Sequence, residues 1–168
     1  MQPIDVLTEY FARVDDHVVE ILDGLSPDDL TWRPAEGANP IGWLVWHLAR
    51  VIDAQIADVA DVAQVWVVGD WAKGFGLDAD PTNSGYGHTA DQVAAVRPRD
   101  TGALGGYYTR VSEQARDYLA TLTSDDLDRV IDEHWDPPVT LGVRLVSIAD
   151  DAVQHAGQAK YAKGMLPD

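Results

Sequence analysis

Apolar residues recur at helical spacing in four long stretches of the chain. Over about 4–24, Leu7, Phe11, Val14, Val18 and Ile21 share one face of a 3.6-residue repeat. A second repeat runs over about 40–62, opened by Asn39-Pro40, with Leu44, Leu48, Ile52, Ile56 and Val59 on its core face. A third covers about 100–122 through Leu104, Tyr107, Val111, Ala115 and Leu119. The fourth covers about 141–163 through Leu141, Leu145, Ile148, Ala152 and Ala159, with Thr140 as its N-cap.

Between these stretches the chain is punctuated. Gly24 is placed to end the first helix. Ser26-Pro-Asp-Asp29 reads as a helix start, cut short by Pro34 and Gly37. Thr89-Ala-Asp-Gln92 is a capping-box pattern and predicts a short helix over 90–96, and Thr123-Ser-Asp-Asp126 opens another. Residues 64–88 have no period: Trp66, Trp71 and Phe75 sit among glycines and Pro81, so a long crossover with one helical turn near Trp71 is expected. Connections of that length inside a domain often carry function. Leu25-Ser-Pro-Asp-Asp-Leu30 is echoed by Leu122-Thr-Ser-Asp-Asp-Leu127, each after a long helix and before a Pro-containing break. The expected fold is all-α, a four-helix bundle with a long crossover between its second and third long helices, in a single domain over 1–168.

Composition narrows the function classes. The formal net charge is −16 and no basic patch is visible, which sets nucleic acid aside as a partner. No apolar run approaches the roughly 18 residues of a membrane span, and no signal-peptide pattern opens the chain; the expectation is a cytoplasmic protein without a membrane partner. The sequence holds no cysteine, so any thiol chemistry needs an external thiol. A phosphate-cradling glycine motif and a Gly-x-Ser-x-Gly elbow are both missing from the sequence.

The residues with chemistry to offer lie on the second and fourth repeats. At about 100° per residue, Asp151 and His155 stack on one flank of the fourth helix, with Arg144 and Gln158 along the same flank, while Asp150 projects away from the core. A carboxylate and an imidazole at that spacing can hold a divalent ion, or simply pair with each other. His47, at the edge of the second helix's apolar face, is the candidate third ligand. Arg144 and Gln158 are candidates to orient a polar substrate or to support the ligands, and His88 to line a pocket rim. His17, near Asp16 and Glu20, is expected at the surface, and His134 in the turn before the fourth helix. An open metal site activates bound water, which means hydrolysis, or bound thiol, which means transfer. The rival from another class is a non-catalytic ligand-binding or dimerisation module with a vestigial site; a homodimer is left open.

Several segments resemble the DinB-like superfamily of four-helix metalloenzymes, and within it the actinobacterial mycothiol-dependent (mycothiol S-transferase-like) subgroup. They are Trp43-Leu-Val-Trp-His47-Leu-Ala-Arg50, Gly85-Tyr-Gly-His88, Trp135-Asp-Pro-Pro-Val-Thr-Leu-Gly-Val-Arg144 and Asp151-Ala-Val-Gln-His155-Ala-Gly-Gln158. The superfamily usually holds its metal with three histidines, one on the second helix and two spaced by four on the fourth. His47 and His155 match the first and last of these, and Asp151 stands at the middle position. Two histidines and a carboxylate suit zinc, and nickel or another divalent ion is also admitted. The resemblance implies mycothiol as co-substrate, attacking a small electrophile in S-transfer or isomerisation, as in detoxification.

Overall fold

The structure, a computed structural model, describes residues 1–167. Four long helices form: α1 (Pro3–Leu22), α2 (Ile41–Ala60), α5 (Thr101–Leu119) and α6 (Leu141–Lys163). Between α2 and α5 lie two short helices, α3 (Val65–Val68) and α4 (Ala90–Ala95), and a 3₁₀ turn at Ala72–Phe75. Between α5 and α6 lie a 3₁₀ turn at Ser124–Asp128 and a small antiparallel pair, β1 (Val130–Asp132) with β2 (Val139–Thr140).

The predicted caps form where the sequence offers them. Thr140 accepts from the Val143 N–H at the start of α6, and Thr89 and Gln92 exchange bonds at the start of α4. Gly24 follows the end of α1 with φ +73°. The helix expected after Ser26 does not form. Ser26 N and Oγ both donate to Asp29 at 2.8 and 2.7 Å, but the chain makes only turns. Continuing the helix would require Pro34 to donate to the Leu30 carbonyl, and proline has no N–H. That carbonyl instead accepts from Gly42 N at 2.8 Å, which ties the turn to the first residues of α2.

Cross-helix contacts set the topology. Asp53 and Val59 of α2 meet Tyr107 and Tyr118 of α5, so these two helices run parallel. Glu20 of α1 meets Lys160 of α6, and α1's Val6 and Tyr10 share a cavity wall with Val146 and Asp150, so α1 and α6 are parallel too. His47 and Asp58 of α2 face His155 and Arg144 of α6, which makes that pair antiparallel. Parallel neighbours explain the long crossover. A 20-residue helix is about 30 Å long, and the chain must travel back along it before α5 begins.

The returning segment covers α2. Every residue from Ile41 to Asp53 is buried, where the repeat suggested a single core face. α5 and α6 pack on α2, and the crossover closes the remaining side with Trp66, Phe75, Val93 and Val96. Trp66 stands edge-on to Trp46, Phe75 and Tyr107, with ring centroids 6.1, 5.4 and 5.1 Å apart. Such rings each bury about 150–250 Å², and that apolar burial stabilises an otherwise irregular stretch.

Two charges are enclosed with them. Arg50 and Asp53 have fully buried side chains and pair at 2.9 Å. Asp53 also accepts from Val65 N, Trp66 N and Tyr107 Oη, each at 2.8 Å. The two amides are the otherwise unpaired first donors of α3. Arg50 donates to the backbone oxygens of Asn83 (3.0 Å) and Pro81 (3.1 Å), to Gln64 Oε1 (2.8 Å) and to Tyr107 Oη (3.2 Å). This pair was not singled out from the sequence. Its signal was there: an arginine and an aspartate at i, i+3 in a helix otherwise apolar from Ile41 to Ile52 apart from His47.

Candidate metal centre

His47 projects from the buried middle of α2, and Asp151 and His155 project one turn apart from α6. Because α2 and α6 are antiparallel neighbours, the three meet. One ligand atom from each lies within 4.8 Å of the others. The two imidazole rings stand edge to face with centroids 4.6 Å apart. Asp150, next in sequence, is exposed and accepts from Gln154, as its helical phase requires.

The outer hydrogen bonds orient both rings. His47 Nδ1 donates to the Ser84 carbonyl at 2.5 Å, and His155 Nδ1 donates to Gln158 Oε1 at 2.9 Å. Each Nδ1 is thereby the protonated nitrogen, and each Nε2 keeps its lone pair for a ligand role. His155 Nε2 lies 3.6 Å from Asp151 Oδ1. The other carboxylate oxygen, Asp151 Oδ2, is buried without a hydrogen-bond partner, the one side-chain acceptor in that state among the described residues. A buried carboxylate oxygen left unpaired is costly, and a cation shared with the two Nε2 atoms would satisfy it. The donor set and this orphaned oxygen together fit a divalent ion.

Burial lowers the basicity of His47, while the adjacent Asp151 carboxylate raises that of His155. Burial thus favours the neutral form of His47, and Asp151 favours a cation at His155 Nε2, a proton or a metal ion.

Trp43 walls the centre. Its ring stacks on His47 at 4.7 Å and 16° and meets His155 edge-on at 6.2 Å. The crossover approaches from the other side. A Cβ on Gly85 would lie 2.8 Å from His47 Nδ1 and 2.9 Å from the Trp46 ring, and Gly85 has φ +93°. Glycine is therefore required there by both space and conformation.

The other candidate residues take distinct places. His88 accepts from Trp43 Nε1 at 3.2 Å, donates to Asn83 Oδ1 at 2.8 Å and stacks on Trp46. Both of its ring nitrogens are engaged, and it lines a cavity of about 340 Å³ formed by the crossover and α4. Gln158 lies between His155 and a second, largely apolar cavity of about 350 Å³ bordered by Leu44, Tyr161 and Met165. Arg144 lies two turns from Asp151, 3.6 Å from Asp58 and 3.8 Å from Asp132. His17 pairs with Lys160 between α1 and α6, and His134 is bound to Asp132 in the turn before α6. Neither approaches the centre.

The fold and these residues define the class: a DinB-like four-helix bundle with a candidate metal centre between its second and fourth long helices. The family model described as mycothiol-S-transferase matches residues 6–166, and the chain belongs to that family. Among solved structures, the crystal structure of a conserved protein from Enterococcus faecalis is similar at TM-score 0.89 and 32% identity, over 98% of this chain and 97% of that one. No curated protein matches.

Proposed function

We propose that the protein is a single-domain, cytoplasmic, metal-dependent thiol transferase that joins a low-molecular-weight thiol, mycothiol, to a small electrophile. The observation that carries this reading is the His47–Asp151–His155 cluster, with His47 buried and the other two half-buried, in a chain of the mycothiol S-transferase family. His47 Nε2, His155 Nε2 and Asp151 are the ligands, and two imidazoles with one carboxylate make zinc the first choice of metal. A divalent ion held there would supply Lewis acidity, which would bring a thiol's pKa down from its free value of about 8.5.

The chain's own residues do the rest. His47 and His155 are held in one tautomer by Ser84 and Gln158. Trp43 and the Gly85 backbone close two sides and keep out water, the competing nucleophile. In the reaction the thiol gives its proton to solvent, and a sulfur lone pair forms the new S–C bond. The bond electrons of the leaving group depart with it or, in an addition, pass to the electrophile's acceptor atom. Arg144 and Gln158 are the candidates to orient polar parts of the substrates, and the cavity beside Gln158, bordered by Leu44 and Tyr161, suits an apolar part of the electrophile. The missing cysteines agree with a thiol that comes from outside.

The test is adduct formation from mycothiol and a panel of model electrophiles, run beside ester hydrolysis, with metal-loaded protein, metal-free protein and His155→Ala. Faster adduct formation with the loaded protein alone is expected. Equal rates in all three across the panel would overturn the transferase reading, and metal-dependent ester cleavage without adduct would replace it with hydrolysis.

A further inference from the structure

Arg50 is enclosed in the protein, yet its hydrogen bonds lead toward the candidate metal centre. It stands three residues after His47 on α2, so the two side chains leave the helix on neighbouring turns. Two of its bonds end on the crossover backbone, at the Asn83 and Pro81 oxygens. The next carbonyl, that of Ser84, takes the Nδ1 proton of His47. The side chain of Asn83 takes the Nε2 proton of His88, whose Nδ1 takes the indole proton of Trp43, and Trp43 is stacked on His47. Both restraints on the His47 ring, the carbonyl at its edge and the indole on its face, therefore pass through residues 83–84. Arg50 is itself fixed by Asp53 and Gln64, at 2.9 and 2.8 Å, with only a longer 3.2 Å contact to Tyr107, and its guanidinium lies 5.2 Å over the Trp66 ring.

We propose that Arg50 is a positioning residue for the centre: by holding residues 81–84 against α2 it sets the ring orientation and the tautomer of His47. A planar guanidinium with five N–H donors reaches two backbone oxygens and a carboxylate at once. A lysine retains the charge that Asp53 needs but cannot span all three. The proposal rests on reading His47 as a ligand. It concerns the ring in the metal-free protein, so it stands or falls separately from transferase activity.

The measurement is ¹⁵N NMR of the histidine rings in metal-free protein at pH about 8, where a free imidazole is neutral. It is paired with cobalt(II) affinity followed by the visible absorption of the bound ion. The proteins are wild type, Arg50→Lys, Arg50→Gln and Tyr107→Phe. Tyr107→Phe removes a bond from the same buried network without touching residues 81–84, and serves as the control for lost stability. His47 should be a single Nδ1–H tautomer in wild type and in Tyr107→Phe. In Arg50→Lys and Arg50→Gln it should become a tautomer mixture, with cobalt affinity lowered about tenfold or more.

A wild-type His47 protonated on Nε2 would overturn the proposal. So would an unchanged tautomer and affinity in a folded Arg50 variant, or an equal loss in Tyr107→Phe. If both Arg50 variants fail to fold while Tyr107→Phe folds, Arg50 is required by the bundle itself and the proposal is also overturned.

Discussion

A Cβ built on Gly85 would lie 2.8 Å from Nδ1 of His47, in the space the ring uses to donate to the neighbouring Ser84 carbonyl. Gly85→Ala therefore meets both a clash and a φ of +93° that an L side chain rarely adopts. We expect a loss of about 1–3 kcal/mol in stability, measured by urea denaturation. Metal content should fall as well, because the crossover must lift away from His47.

Asp151 and Asp150 are adjacent, but only Asp151 faces the two imidazoles. Asp151→Ala should lower bound zinc sharply in protein purified without chelator, measured by elemental analysis, while circular dichroism stays helical. Asp150→Ala should bind normally, since that carboxylate accepts from Gln154 at the surface. The reverse pattern would mean that Asp151 is not a ligand.

Asp53 has the opposite character, a charge whose role is to hold the fold. Its loss would leave Arg50 buried without its carboxylate and the amides of Val65 and Trp66 without an acceptor. Breaking a buried pair in this way costs about 3–5 kcal/mol. Asp53→Ala should lose that much in equilibrium unfolding and should expose the crossover to limited proteolysis before the four long helices.

Metal binding should depend on pH through His155. In the metal-free protein its pKa is raised, chiefly by the adjacent Asp151 carboxylate. As pH falls below that raised value the ring is protonated and a metal must displace the proton, so apparent affinity should drop by up to about tenfold per pH unit. Linkage gives the sign for the fold. A group whose folded pKa is above its unfolded one contributes stability that is fully present below the unfolded pKa and is lost as pH rises through the folded value. Metal-free protein should thus lose this contribution as pH rises from the ordinary imidazole value through the raised one, while metal-loaded protein gains stability over the same range. Thermal unfolding with and without zinc across that range is the measurement.

Much of the bundle follows from local rules that act within a few residues. The four long repeats, the cap at Thr140 and the box at Thr89 need only helical geometry and nearby donors, and they appear close to their expected places. The stacking of Asp151 over His155, and the outward turn of Asp150, follow from the same 3.6-residue period. The failed helix after Ser26 was in principle legible, because Pro34 lies four residues beyond Leu30, but the partner that takes the freed carbonyl, Gly42, is set by packing.

What the sequence by itself determined is therefore the helices, their apolar stripes and the pair on α6. The tertiary structure decided that α2 is buried on every side from Ile41 to Asp53, that Arg50 and Asp53 are enclosed, and that His47 meets the α6 pair under the glycine at position 85. These depend on where a crossover without periodicity lies and how far the antiparallel α2 and α6 slide past one another. Contacts between residues far apart in the chain fix both, and they leave no repeat in the sequence.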